Sequence, residues 1–185
     1  MKRKVVVLMA PGFEEMELTI TVDILRRAEI EVVIATIGND LSAVTGSRGI
    51  SMLPDRQISR IRPQDFDMVV LPGGIEGTKN LAASPEVIEL IRQMHALDKY
   101  VAAICAAPAV LVKAGICQGR NATSHPAAKE YMEGVNYLEE RVVKDGKLIT
   151  SRAAGTTFEF AFALMKELLS DEAVQNVNKG VMARI

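Results

Sequence analysis

The sequence predicts an α/β fold, a doubly wound and mostly parallel sheet sandwiched by helices, and three observations carry that expectation. Apolar stretches near residues 4–9, 67–71 and 100–104 lack the polar alternation of a half-exposed strand, as buried parallel strands do. Helically spaced segments separate them, which is the pattern of repeated βαβ units. Each stretch then breaks at a small-residue loop, Pro11-Gly12, Pro72-Gly73-Gly74 or Cys105-Ala106-Ala107. In sheets of this class ligands bind outside the carboxyl ends of the strands.

In chain order, Lys4 to Met9 reads as strand, Pro11-Gly12 as turn, Glu14 to Ala28 as helix and Glu31 to Ile37 as strand. That helix is apolar on two sides, Met16, Ile20 and Ile24 on one and Leu18, Val22 and Leu25 on the other. One sheet contact needs only one of them, so the spare side points to a subunit interface and a homodimer. Gly38 to Pro54 holds short β segments around Gly46-Ser47-Arg48-Gly49. After the strand at 67–71, Ser84 is an N-cap with Pro85 at the first helical position, and Val87, Leu90, Ile91, Met94 and Leu97 keep helical spacing. His95 lies on the other, solvated face. The strand Tyr100 to Ile104 stops at Cys105 and passes at once into a helix opened by Pro108. A short strand follows Gly119-Arg120, and Lys144-Asp145-Gly146-Lys147 turns a hairpin. Thr156-Thr157-Phe158-Glu159 has capping-box form and opens a helix with Phe158, Phe162, Met165 and Leu169 inward; Asp171 to Lys179 is a last helix.

With 185 residues and no break in composition, residues 1–185 are expected to form one domain. The net charge is -1 with Lys and Arg scattered, which argues against a specific nucleic-acid partner or an anionic-membrane surface. The basic start at Met1-Lys2-Arg3-Lys4 imitates a signal peptide, but Pro11-Gly12 ends the apolar run too early. No run suits a membrane span, and two cysteines are too few for a disulfide framework. The expected home is a reducing cytoplasm, where a thiol stays available for chemistry.

The loops after the strands bring together Gly12 to Glu17, Gly73-Gly74, Cys105-Ala106, Ser124-His125 and Arg152. Cys105 sits at a strand-to-helix elbow, where a helix N-terminus favours the thiolate; the competing reading is a small buried hydrophobe. Glu17 is either a solvated first-turn carboxylate or, beside Cys105, a proton donor or acceptor with a raised pKa. The backbone N–H groups of Gly74 and Ala106 could form an oxyanion hole. His125 either caps the helix after Pro126 or exchanges protons with the thiol. A metal is not expected, since Cys105, His125 and Glu17 match no familiar spacing and offer only three ligands.

These residues also carry a resemblance. Ala-Pro-Gly-Phe-Glu-Glu-Met-Glu at 10–17, Val-Leu-Pro-Gly-Gly at 70–74, Ala-Ala-Ile-Cys-Ala-Ala-Pro at 102–108, Ser-His-Pro at 124–126 and Thr-Ser-Arg at 150–152 resemble the DJ-one branch of the ThiJ/PfpI superfamily, in family order over almost the whole chain. The resemblance implies a flavodoxin-like homodimer. It also implies an oxidisable nucleophile at Cys105, a protonated carboxyl at Glu17 bonded to it, amide donors at Gly74 and Ala106, a third catalytic group at His125, and pocket arginines at Arg48 and Arg152. The implied activity is a cofactor-free, glutathione-independent glyoxalase or protein deglycase. Its partners would be methylglyoxal, glyoxal or glycated protein side chains, in protection against oxidative stress. The alternative is a redox sensor or redox-regulated chaperone whose cysteine becomes sulfinate. Ala153-Ala154-Gly155 stands where close relatives have Gly-Pro-Gly, so the pocket wall there departs from the family pattern. Ala106 replaces the histidine of the protease-like branch, and no His-x-Glu follows His125 as glutamine amidotransferases require.

Overall fold

A computed structural model describes residues 2–184. Strand β1 (Lys4–Met9) leads through a loop to helix α1 (Glu15–Arg27) and back to β2 (Glu31–Thr36). A hairpin of β3 (Val44–Thr45) and β4 (Ser51–Met52) follows, then β5 (Arg56–Gln57), two short 3-10 turns and β6 (Met68–Leu71). Helices α2 (Ile75–Ala83) and α3 (Pro85–Ala96) precede β7 (Tyr100–Ile104) and the elbow helix α4 (Pro108–Ala114). The rest is β8 (Asn121–Ala122), β9 (Asn136–Tyr137), β10 (Val142–Asp145), β11 (Leu148–Ser151), α5 (Thr157–Leu168) and α6 (Asp171–Val181).

The main sheet runs β10-β11-β7-β6-β1-β2-β5, parallel throughout except for β10 on the edge. Its inner order β2-β1-β6-β7-β11 is the flavodoxin-like arrangement, with the switch point between β1 and β6. Both faces of β1 are buried because the sheet has helices on both sides. Val5, Val7 and Met9 join a core with α1 and α5, while Val6, Leu8 and Ala10 join the other with α3 and α4. The absence of polar alternation in β1 follows directly.

The expected elements lie where the periodicity puts them, with three differences. Helix α2 is not signalled by an apolar stripe, because Ile75-Glu76-Gly77-Thr78-Lys79 is polar and its N-cap is Gly74. In α5 the inward residues are Phe160, Phe162, Leu164, Met165 and Leu168, whereas Phe158 and Leu169 are 38% and 44% exposed. The alternating Phe158, Phe160 and Phe162 leave the helical phase ambiguous by almost half a turn. No capping box opens α5 either. The Thr156 hydroxyl bonds Ser151 Oγ at 2.7 Å and the Ala153 carbonyl at 2.8 Å, and Glu159 pairs with Arg141 at 2.7 Å. On α1, Ile24 is buried in the core and only Met16 and the half-buried Ile20 remain on the spare face; Ile50, in the β3–β4 turn, and Leu53, just after β4, are exposed as well.

Among the described residues no helix is long and apolar enough to cross a membrane.

Candidate active site

Residues after β1, β6 and β7 meet at the carboxyl edge of the sheet, at its switch point. Cys105 leaves β7 with φ of 65°, a left-handed conformation that L side chains adopt at a cost of about 1–2 kcal/mol. Hydrogen bonds on both sides hold it there: the Cys105 N–H donates to the Ser151 carbonyl at 3.0 Å, and the Cys105 carbonyl accepts from the His125 N–H at 2.7 Å. The elbow lifts the sulfur out of the strand, and the residue remains half-buried. Cys117, the other cysteine, is buried away from the cleft.

Glu17 comes from the first turn of α1, which Glu14 caps by accepting from the Glu17 N–H at 2.7 Å. The side chain is 1% exposed, so it is not the solvated carboxylate of the competing reading. Its Oε2 accepts from the Gly73 N–H at 2.7 Å, and Oε1 is buried with no nitrogen or oxygen partner. The remaining hydrogen-bonding neighbour of the carboxyl is the Cys105 side chain. Burial pushes the Glu17 carboxyl up to about 7, against the Gly73 and Cys105 hydrogen bonds, and the charge of Glu14 adds to the rise.

The thiol itself departs from expectation. Burial first, then the Glu17 charge and hydrogen bond, push Cys105 up to about 12, while the Gly74 and Ala106 amides pull the other way. The elbow alone therefore does not make a thiolate. Helix α4 begins only at Pro108 and spans seven residues, so its positive end is short and set back from the sulfur. Two of the three contributions that raise the thiol come from Glu17. A proton on Glu17 cancels its charge and turns the carboxyl into a donor, leaving burial opposed by two amides. Glu17 and Cys105 thus titrate as one unit that gives up its first proton near pH 7.

The Glu17 shift also sets a stability expectation. Its folded pKa of about 7 lies above the ordinary 4.5, so the folded state holds the proton more tightly. The burial penalty is absent below the ordinary value and complete once pH has risen through the folded one, a difference of about 3 kcal/mol. Glutamine cannot ionise, so Glu17→Gln is expected to gain stability over the parent by about that amount between about pH 4 and pH 8. Urea unfolding at the two pH values measures it; a constant gap means the carboxyl is not buried in its charged form.

The amides of Gly74 and Ala106 both face the Cys105 sulfur, as the oxyanion-hole reading requires. His125 has two attachments. Its backbone binds Cys105, but its ring Nδ1 accepts from the Ala127 N–H at 3.1 Å, capping the 3-10 turn Pro126–Tyr131. No hydrogen bond joins the ring to Cys105 or Glu17 among the described residues; Nδ1 is taken by the cap, and Nε2 has no hydrogen-bond partner among them.

Neither arginine is bonded to the Cys105 pair among the described residues. Arg152 donates to the Glu139 carbonyl at 2.8 Å, and Arg48 lies exposed on the β3–β4 turn. What fixes that turn was not legible in advance: the buried Glu15 accepts from Arg48 N–H at 2.5 Å, Ser47 Oγ at 3.0 Å and Ile50 N–H at 3.4 Å. Burial acts to raise its carboxyl, but these donors together hold it below the usual range. The one available signal was a glutamate adjoining an apolar helix face opposite a Gly-Ser-Arg-Gly turn.

The DJ-1/PfpI family profile matches residues 3–167, most of the chain. This chain belongs to the DJ-1/PfpI family. It is 43% identical over 184 residues to Drosophila melanogaster protein dj-1beta, covering 98% of each chain. The crystal structure of that Drosophila protein superposes with a TM-score of 0.95 at 42% identity, covering 100% of both chains. A Caenorhabditis elegans family member named as a glutathione-independent glyoxalase is 32% identical over 180 residues, covering 96% of this chain and 95% of its own.

Proposed function

We propose that this DJ-1 family protein is a cofactor-free glyoxalase and protein deglycase acting on methylglyoxal and glyoxal or on their adducts. The observation that carries the reading is the buried Glu17 carboxyl, poised near pH 7 against a sulfur that two amides also face. The nematode glyoxalase relative supports the same chemistry.

In this reading the Cys105 thiolate adds to the aldehyde carbon of methylglyoxal, and the Gly74 and Ala106 N–H groups hold the resulting oxyanion. Glu17 is the proton carrier, since a group whose pKa matches the working pH can both give and take. The C1 proton leaves to give an enediol, a proton returns to C2, and the product is a lactoyl thioester on Cys105. Water hydrolyses the thioester to lactate and restores the thiol, so the net reaction is methylglyoxal plus water to lactate. His125 Nε2 serves the proton exchange with solvent, and Arg48 and Arg152 are the proposed substrate contacts at the rim. The deglycase form releases the same acid from a glycated side chain. A homodimer formed through Met16, Ile20, Ile50 and Leu53 belongs to the same proposal, because Met16, Ile50 and Leu53 are exposed apolar side chains, Ile20 is half-buried, and Thr19 of α1 reaches Met52 of β4 at 3.6 Å.

Lactate release from methylglyoxal without glutathione tests the proposal. We expect turnover with the purified chain alone. No lactate, together with ready oxidation of Cys105 to sulfinate, would support the redox-sensor alternative, for which the same donors would hold the sulfinate oxygens.

A further inference from the structure

One cavity lies away from Cys105. It has a volume of about 310 Å³ and opens at the other end of the sheet, where β7 and β11 begin. Its floor is apolar and almost wholly buried, formed by Val101, Ile116 and Leu148. Its rim carries Lys99, Arg120 and Lys147 together with His95 and Asp98. This volume lies at the lower end of the range for sites that take small organic ligands, and an apolar floor with a few convergent polar groups is their usual make-up.

The pairing of the rim charges decides what would fit. Lys147 is committed to Asp98, whose carbonyl and carboxylate both accept from it. One Arg120 nitrogen, Nη1, pairs with Asp145 at 2.9 Å, while the other guanidinium donors have no partner among the described residues. Lys99 has no side-chain partner among the described residues, although it lines the cavity and is half-buried. One unspent ammonium and part of a guanidinium thus stand over an apolar floor.

We propose that this cavity binds a small organic anion with an apolar tail, of the size and kind of a short-chain carboxylate. The carboxylate would sit between Lys99 and the free edge of Arg120, and the tail would lie on Val101, Ile116 and Leu148. A large polyanion is disfavoured, because Asp98 lines the cavity and Asp145 is paired with its Arg120, and both repel charge spread beyond one anionic group. The site is separate from Cys105 and does not depend on the dicarbonyl chemistry.

Amide chemical shifts of the 15N-labelled protein, titrated with hexanoate, test the proposal. Saturable shifts centred on Val101, Gly146 and Leu148 are expected, with a Kd of about 1 mM, the scale appropriate to so small a ligand. Hexanol supplies the tail without the charge and inorganic phosphate the charge without the tail; each should bind at least about tenfold more weakly. Lys99→Glu should weaken hexanoate by about tenfold while the spectrum shows an intact fold, and Cys105→Ser should leave binding unchanged. No saturable shift at these amides overturns the proposal. So does hexanol or phosphate binding as well as hexanoate, or Lys99→Glu leaving the affinity unaltered.

Discussion

Cys105→Ser is expected to abolish lactate formation from methylglyoxal, and Glu17→Ala to lower its rate by at least about a hundredfold. Loss at Cys105 follows from removing the sulfur that the Gly74 and Ala106 amides face. At Glu17 the expectation comes from the sharing of one proton between two buried groups. A neutral Glu17 donates to the sulfur, and an ionised one raises the thiol by its charge. Alanine removes the donor, the proton carrier and the charge together, leaving burial to hold the thiol up. Glutamine keeps a donor next to the sulfur but cannot transfer a proton. Glu17→Gln should therefore be slow while showing a lower thiol pKa than Glu17→Ala, read from thiolate absorbance against pH. In the parent protein the reacting species is the pair that has lost one proton, so the rate should rise with pH up to about 7 and then level off. A rate that is flat across neutral pH, or a Glu17→Ala variant as fast as the parent, would sink the mechanism.

How far this site could be read from the residues depends on whether each property is local. The strands β1, β6 and β7 announce themselves as apolar runs, and the loops that follow them hold Glu17, Gly73-Gly74 and Cys105, so the sheet rule alone gathers the cleft. The elbow is local too: a strand that ends at Cys105 just before Pro108 has no room for anything but a sharp turn. Ionisation of the thiol is not local. It depends on how deeply Glu17 is buried beside the sulfur, 88 residues away in sequence, and burial reverses the direction expected from the helix end. The same limit applies to His125, whose ring is satisfied by the amide two residues on, and to Glu15, whose partners come from the hairpin some 32 to 35 residues later. In α5 the ambiguity is different, for alternating phenylalanines suit two helical phases and only the packing against β11 and α1 selects Phe160 over Phe158.

Substitutions at the two adjacent glycines of the β6 loop are expected to separate folding from chemistry. Gly74 has φ of 88°, and a Cβ built there meets backbone on every side: the Gly12 carbonyl, the Glu14 nitrogen at 2.8 Å and the Phe13 carbonyl carbon at 3.0 Å. Backbone cannot rotate out of the way as a side chain can, so Gly74→Ala should cost about 3 kcal/mol or more in stability. Gly73 is different. Its φ is not in the left-handed region, and an added Cβ comes within 2.7 Å of Cys105 Cβ, 2.8 Å of Glu17 Oε2 and 3.0 Å of the Ile104 carbonyl. Two of those three atoms belong to the reacting pair. Gly73→Ala must push the carboxyl and the sulfur off their present positions, and a displacement of even about 1 Å at a reacting centre costs on the order of a hundredfold in rate. Only the Glu17 Oε2 contact can be relieved by side-chain rotation, since Cys105 Cβ and the Ile104 carbonyl are fixed by the backbone, so Gly73→Ala still costs about 2 kcal/mol, less than Gly74→Ala, which adds the strain of its left-handed φ. Urea unfolding and lactate release on the two variants should give opposite rankings, with Gly74→Ala the less stable and Gly73→Ala folded but nearly inactive. If Gly73→Ala retains the parent rate, the Glu17 carboxyl and the Cys105 sulfur do not react from the positions they occupy here, and the proton-sharing argument falls with that result.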